Sequence, residues 1–238
     1  MRFIGVLLII FFAYLLYPVK DIFSLQQNYV HARKGEFIIQ KDKPRKWVSL
    51  KSIPKEVQNA IVLSEDWSFY DHSGVDWSQL YLAIKEKLSG TRVRGASTIT
   101  QQIIKNVFLG PEKTYFRKAH EILLALVAEK VLSKDKLLEI YLNIIHLGEN
   151  IYGIGSGAYY YFEKRASQLE AKQAAFLAML LPSPLKNNES FKKKKLTPYG
   201  VKIVESILLK LKIDNKISDE YYENLRKKQI IFRGQDTI

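Results

Sequence analysis

Two carboxylates stand out for the company they keep. Glu65 opens the stretch "EDWSFYDHSGVDW", in which Glu65, Asp66, Asp71, His72 and Asp76 crowd among Trp67, Phe69, Tyr70 and Trp77. The chain as a whole is basic, with 37 Lys and Arg against 24 Asp and Glu and a net charge of +13. A local gathering of acid therefore asks for a reason. The residues before Glu65 have a helical pattern, and a helix C-terminus disfavours a carboxylate anion beside it. The neighbouring aromatics strip water from the same group. Both effects raise a carboxyl pKa, and a raised pKa suits a general acid or base near neutral pH. The plain alternative is a solvated loop of ordinary acids.

Glu121 is the second carboxylate, set mid-helix among Ile122, Leu123, Leu124, Ala125 and Leu126. Arg117 and Lys118 lie four and three residues before it, within reach on the same face. This is either a helical salt bridge or a buried acid holding two cations that grip a phosphate. Lys105 and Lys113 are placed to extend that basic group. In "RGASTITQQ", Ser97 and Thr98 fall in the first turn of a helix, where free N–H groups and hydroxyls receive an anion. The same residues read equally well as a helix cap, with Ser97 as the capping residue. His72 and Asp76 are spaced i,i+4 but lack a third metal ligand, which favours a structural, hydrogen-bonding His72. "GIGSG" (153–157) lacks the preceding strand and the spacing of a nucleotide loop and reads as helix packing or a turn.

The elements that must position these groups are mostly helical. Pro54 fits a first helical position, with Val57, Ala60 and Ile61 on one face. Further helices are expected from Asp76 to Leu88 and from Ser97 to Val107. "TYFRKAHEILLALVAEKVL" looks apolar nearly all round, which implies deep burial. Another helix starts at Ser133, with Gly148 as its stop. "LEAKQAAFLAMLL" is a buried helix closed by Pro182 and Pro184. The lysines at 192–195 form a loop, and two amphipathic helices cover 197–213 and 218–228. Residues 20–50 carry at most a strand or hairpin, and no larger period-2 sheet is expected. Apolar residues make up 47% of the 238-residue chain, enough for a real core. Cysteine is absent, so disulfides and thiolate metal sites are excluded. "MRFIGVLLIIFFAYLLYPVK" reads as an uncleaved transmembrane signal-anchor over residues 1–19, at the short end of the roughly 20 residues a span needs. A cleaved signal peptide fits less well, because no small-x-small cleavage site follows Tyr17. Arg2 before the span and Lys20, Arg33 and Lys34 after it leave its orientation open.

Taken in order, these stretches resemble the peptidoglycan glycosyltransferases of glycosyltransferase family 51. "EDWSFYDHSGVD", "GASTITQQ" with "IIKN", "RKAHE", "KLLEIYLN" and "LAMLLPSP" are similar to its five motifs. The resemblance implies a lysozyme-like α lobe with a small membrane-associated jaw, the jaw drawing on 77–95 and 108–116. It divides the chain into the anchor (1–19), a juxtamembrane linker (20–44) and the glycosyltransferase domain (45–230). It implies polymerisation of lipid II into β-1,4-linked glycan strands by inverting transfer, releasing undecaprenyl pyrophosphate, in cell wall biogenesis. Glu65 would be the general base on the acceptor hydroxyl. Glu121 would support the donor and the departing pyrophosphate, through a divalent cation (Mg or Mn) or through its neighbouring cations. Substrate-binding roles fall on Asp66, His72, Ser97, Thr98, Gln101, Gln102, Lys105, Lys113, Arg117, Lys118 and Asn143. The implied partners are lipid II, the nascent lipid-linked glycan, the membrane and cell-wall synthesis proteins, with no nucleic acid. The implied place is the cytoplasmic (inner) membrane, crossed once, with the catalytic domain on its outer, periplasmic face. The chain departs from the family's usual residues at His120, Lys113, Ala96 and "GIGSGAYYYF". About 50 residues after Asn188 are too few for a transpeptidase domain, so a monofunctional enzyme is expected. A hydrolytic glycosidase using Glu65 and Glu121 and an inactive membrane scaffold are the rivals. A nucleic-acid binder rests on charge alone.

Overall fold

The computed structural model describes Leu15 and residues 17–33, 35–90 and 95–235. The expected membrane span, 1–19, falls almost wholly outside these residues. Among the described residues no helix is long and apolar enough to cross a membrane.

The described chain is mostly helical. A short helix α1 (Val19–Ser24) leads into a hairpin of β1 (Tyr29–Arg33) and β2 (Glu36–Gln40), with Val30 opposite Ile39. The stretch 20–44, expected as a linker with a strand or hairpin, thus carries both a helix and a hairpin. It packs on the body through Ile22, Leu25 and Val30. Helix α2 (Lys55–Glu65) follows, with Pro54 as its cap rather than its first helical residue. Pro54 has an extended ψ of 143°, which sets it just outside the helix. Next come α3 (Trp77–Leu88), α4 (Ile99–Phe108), α5 (Tyr115–Val131) and α6 (Lys134–Ile144).

Helix α6 ends before Gly148. Residues His146–Gly148 form β3, paired antiparallel with β4 (Ile151–Tyr152). The turn between them is made by Asn150 at φ 56°, a left-handed conformation that Asn tolerates better than most residues. The expectation of no sheet beyond 20–50 fails here because this hairpin is too short to show a period. Helices α7 (Ile154–Phe162), α8 (Ala171–Leu180), α9 (Glu189–Lys192), α10 (Pro198–Ile213) and α11 (Asp219–Lys227) complete the chain.

All ten residues of α8 are buried, as its unbroken apolar run requires. Helices α2 and α10 pack on it, so the helix that ends in Glu65 is fixed to the centre of the core. Even Lys172 is buried there; its Nζ donates to the carbonyls of Leu225, Arg226 and Lys228 at 2.6, 3.0 and 2.6 Å. It thereby satisfies the open carbonyls at the end of α11. Helix α4 packs between α5 and α6. Helix α5 is buried along one stripe only, at His120, Glu121, Leu124, Ala125 and Ala128, while Leu123 is exposed. Its leucines over-read as all-round burial. The glycines of 153–157 are packing positions. A Cβ on Gly153, at φ 79°, would sit 2.6 Å from the Asn143 carbonyl oxygen.

Candidate active site

Glu65, Asp66 and Asp76 line one cleft, and they differ in how many of their carboxylate oxygens the protein already engages. Glu65 is the last residue of α2 and is partly buried. Its Oε2 accepts from Gln102 Nε2 at 3.1 Å and lies 3.4 Å from the Tyr141 hydroxyl. That hydroxyl is also 3.2 Å from Gln102 Oε1. Its single proton serves one acceptor at a time, but either bond steadies the carboxylate, directly or through Gln102. Oε1 has no protein partner among the described residues. Burial raises the Glu65 pKa, and Asp66 adds to the rise. The Gln102 and Tyr141 bonds and the charge of Lys105 oppose it. Tyr141 is itself buried beside Glu65 and is held well above the usual tyrosine range, so it stays a donor.

Asp66 works differently. It is buried, and its Oδ1 meets His72 Nε2 at 2.9 Å while Oδ2 accepts the backbone N–H of Ile99 at 2.8 Å. A carboxylate at the first N–H of α4 suits the helix dipole and ties the loop to that helix. His72 Nδ1 in turn accepts from Gly74 N at 3.2 Å. His72 is therefore a structural, hydrogen-bonded histidine. Asp76 caps α3 through Gln79 N at 2.9 Å and accepts from Ser68 Oγ at 2.6 Å. Burial works against its anion, but these bonds outweigh it and hold its pKa low. Asp71 is exposed.

A further set of groups outside the loop braces it. Glu129 Oε1 accepts from Thr100 Oγ1 at 2.6 Å and from Lys134 Nζ at 2.8 Å. Lys134 also donates to the His72 carbonyl at 2.7 Å and sits 4.4 Å from the Phe69 ring centre. Gly74 has φ 88°, and a Cβ there would lie 2.7 Å from the Ala125 carbonyl oxygen on α5. Gly74→Ala combines that clash with a strained backbone. It is expected to cost roughly 2–4 kcal/mol, read as a lowered thermal unfolding midpoint.

The cap of α4 is Thr98, not Ser97. Thr98 Oγ1 accepts from Gln101 N and donates to the Gly74 carbonyl at 2.7 Å, while Gln101 Oε1 accepts from Thr98 N. Thr98 and Gln101 are buried in this capping box, which leaves Thr98 in the wall of a cleft with its hydroxyl already engaged. Freed from capping, Ser97 Oγ accepts from Lys118 Nζ at 3.1 Å. Lys118 also bonds Glu121 Oε1, and Arg117 Nη1 donates to Glu121 Oε2 at 2.7 Å. Glu121 is only 2% exposed, yet both its oxygens are matched by cations.

Ser97 joins the two halves. A cleft of about 230 Å³ is lined by Glu65, Asp66, Trp67, Asp76, Ser97 and Thr98, among others. It therefore runs from the Glu65 carboxyl to the serine that touches Lys118. Lys105 is exposed near Glu65, and Lys113 is exposed in the segment before α5. Asn143 stands apart. Its Oδ1 accepts from Val48 N at 2.7 Å and its Nδ2 donates to the Val48 and Glu139 carbonyls. Every polar atom of its side chain is thus spent on backbone, away from Glu65.

A model of the Transglycosylase family matches residues 33–206, well over half of the chain. The chain belongs to the Transglycosylase family. A protein named biosynthetic peptidoglycan transglycosylase from Brucella suis biovar 1 (strain 1330) is 46% identical over 144 residues, covering 60% of this chain and 64% of that protein. One of the same name from Shewanella frigidimarina (strain NCIMB 400) is 41% identical over 165 residues, covering 68% and 71%. The chain thus spans just under two thirds of the length of the Brucella relative. The crystal structure of penicillin-binding protein 1A from Haemophilus influenzae shares 22% identity at a TM-score of 0.36, over 56% of this chain and 16% of that one. That likeness is too low to argue from.

Within this transglycosylase domain, Tyr141 is the neighbour of Glu65 that the sequence reading did not single out. Its signal was present in "KLLEIYLN". Glu139 and Asn143 share one face of α6, and Tyr141 lies about 200° round from Glu139. The outer face grips the chain at Trp47, Val48 and Leu50, and the inner face reaches Glu65. Tyr141→Phe removes a bond that lowers the Glu65 pKa. The acid limb of the rate profile is therefore expected to move to higher pH, a shift that pH–rate measurements on both proteins would read.

The donor set around Glu121 suits ammonium and guanidinium groups. It offers one carboxylate, already matched twice, and among the described residues no group of three acidic, His or Cys ligands gathers. A divalent ion fits poorly there.

Proposed function

We propose that the chain polymerises lipid II into β-1,4-linked glycan strands. One observation carries this reading. A carboxyl group with a raised pKa shares a cleft with Ser97, which holds Lys118 beside Glu121 and Arg117. That arrangement pairs a base with a fixed cationic seat. Glu65 takes the proton from the 4-hydroxyl of the acceptor N-acetylglucosamine. The freed oxygen attacks C1 of the donor sugar from the face opposite the leaving group, so the anomeric centre inverts. The C1–oxygen bond to undecaprenyl pyrophosphate breaks, and its charge develops against Arg117 and Lys118. Fixed charges aimed at developing charge stabilise a transition state without reorganisation. Glycosidic hydrolysis fits less well, since a Glu121 bound on both oxygens is poorly placed to give or take a proton.

The fold in this reading is a lysozyme-like lobe with a membrane-facing jaw, and α3 supports the jaw. No residue of α3 is buried, and Trp77, Tyr81, Ile84 and Leu88 form one exposed stripe at helical spacing. Tyr115 and Phe116 are exposed as well, and Lys87 Nζ reaches the Tyr115 hydroxyl at 3.3 Å. Such a surface suits the interface of a bilayer, where a lipid-linked substrate is presented. The same reading makes residues 1–19 a single span and sets the catalytic domain on the outer face of the cytoplasmic membrane.

The test is incubation of the detergent-solubilised full chain with fluorescent lipid II, and separately with purified sacculi. A ladder of lipid-linked glycan is expected from the first. Release of soluble muropeptides from the second, with no ladder, would overturn the polymerase reading in favour of a hydrolase.

A further inference from the structure

A second, larger cavity lies behind the active site. It measures about 570 Å³ and is lined among others by Arg45, Lys46, Tyr159, Tyr160, Lys164 and Arg165. One wall is the segment that α6 grips from its outer face, through Glu139 to Trp47 Nε1 and Leu50 N and through Asn143 to Val48. Tyr141, on the opposite face of α6, reaches Glu65. Helix α6 therefore touches a wall of the groove on one face and Glu65 on the other. The groove shares no lining residue with the catalytic cleft.

Its charge is unbalanced. Four cations line it against Glu149 as its one acid. None of the four forms a salt bridge among the described residues; Lys164 Nζ donates only to the neutral Gln173 Oε1, at 3.4 Å. Like charges gathered in a concavity without counter-charge raise the local concentration of anions. The groove also carries rings. Tyr159 is 64% exposed and Tyr160 37%, although both stand on a helix that buries Ile154, Ala158, Tyr161 and Phe162. Arg233 lies over the Tyr159 ring at 5.9 Å from its centre.

We propose that this groove binds a carboxylate-bearing glycan outside the catalytic cleft. A pyranose offers a flat row of C–H bonds to an aromatic face and a rim of hydroxyls to polar neighbours. Carboxylates on lactyl or peptide substituents would meet Lys46, Lys164, Arg45 and Arg165. The volume falls within the range of about 300–1,000 Å³ that small ligands occupy, enough for a sugar unit with its substituent. A lipid headgroup is the weaker occupant, because no residue of the exposed apolar stripe of α3 lines this groove. If the polymerase reading holds, the strand that the enzyme makes is a ligand of this class. The binding proposal itself rests on the groove and not on that reading.

The test uses the full chain carrying Glu65→Gln, so that binding is read without turnover. The probes are soluble uncrosslinked peptidoglycan strands with their stem peptides, a neutral N-acetylglucosamine oligomer, inorganic phosphate, and vesicles containing phosphatidylglycerol. Affinity is measured by calorimetry before and after adding Lys46→Gln with Lys164→Gln, and separately Tyr159→Ala. The strands are expected to bind more tightly than the neutral oligomer. The paired charge removal is expected to weaken them by about tenfold, more at low salt than at high, and Tyr159→Ala to weaken them also. These side chains lie at the surface, and unchanged thermal midpoints would confirm that the variants fold. In a chain with Glu65 intact, the same three substitutions should leave the coupling of two lipid II molecules unchanged. Equal affinity for the neutral oligomer, or strand binding that the variants leave unmoved, would overturn the proposal. Phosphate or vesicle binding that the variants abolish, without strand binding, would reassign the groove to a simple anion or to lipid.

Discussion

Glu65→Gln is expected to lower glycan synthesis by about 10²–10⁴-fold while the protein keeps its fold. The substitution preserves shape and removes the basic oxygen. Gln102 Nε2 and the Tyr141 hydroxyl, at 3.1 and 3.4 Å from Oε2, can still face an amide oxygen. Little in the packing has cause to change, because Oε1 has no protein partner among the described residues to lose. The rate falls for a chemical reason: an amide cannot take the acceptor's proton at any pH in the assay. The wild-type profile should rise with pH through the pKa of Glu65, which burial has moved up from the ordinary carboxyl value. In the variant that limb should vanish and not merely shift. Single-turnover assays with fluorescent lipid II would measure both. A variant retaining more than a tenth of the wild-type rate, with its acid limb intact, would place the base elsewhere.

The sequence was a good guide to helices and to which carboxylates matter, and a poorer guide to what their neighbours do. Helix α3 was expected from Asp76 to Leu88 and is found at Trp77–Leu88 behind its Asp76 cap. A long amphipathic period and a capping side chain are both local signals. The cap of α4 was misjudged by one residue, because Ser97 and Thr98 are equally good caps in isolation. What decides between them is distant: the Gly74 carbonyl takes the Thr98 hydroxyl, and Lys118 takes that of Ser97. The resemblance gives Asp66, His72, Thr98, Gln101 and Asn143 substrate-binding roles around a catalytic Glu65. The structure gives their polar atoms to the backbone and to one another, with Gln101 Nε2 left unpartnered. A motif spells out which residues go together; it does not say that Asp66 and Thr98, which line the cleft, also use their polar atoms to hold it together. The β3–β4 hairpin escaped notice for a plainer reason, since two or three residues cannot display alternation.

Glu121→Gln tests the other half of the site, and its expected signature is a fall in kcat of about 10²–10³ without a rise in KM. Glu121 holds Arg117 and Lys118 on its two oxygens from a position only 2% exposed. The cations themselves keep 17% and 32% of their side-chain surface exposed. Removing the carboxylate charge leaves the pair net more positive, so an anionic donor is attracted at least as well in the ground state. What is lost is the fixed geometry that meets charge as it develops on the leaving pyrophosphate. Binding that is uniform between ground and transition states changes KM alone, whereas loss of transition-state complementarity appears in kcat. The pH profile supplies a control that simple structural damage would not satisfy. If Glu121 positions cations, the acid limb set by Glu65 stays where it is and only the amplitude drops. If Glu121 is instead a second acid or base, as hydrolysis across a glycosidic bond would require, the variant loses a limb of the profile. The stability cost should be below the 3–5 kcal/mol typical of a fully buried broken pair, because both cations retain access to water. A thermal midpoint close to that of the wild type, together with a lowered kcat and an unmoved acid limb, is the outcome that the geometry requires.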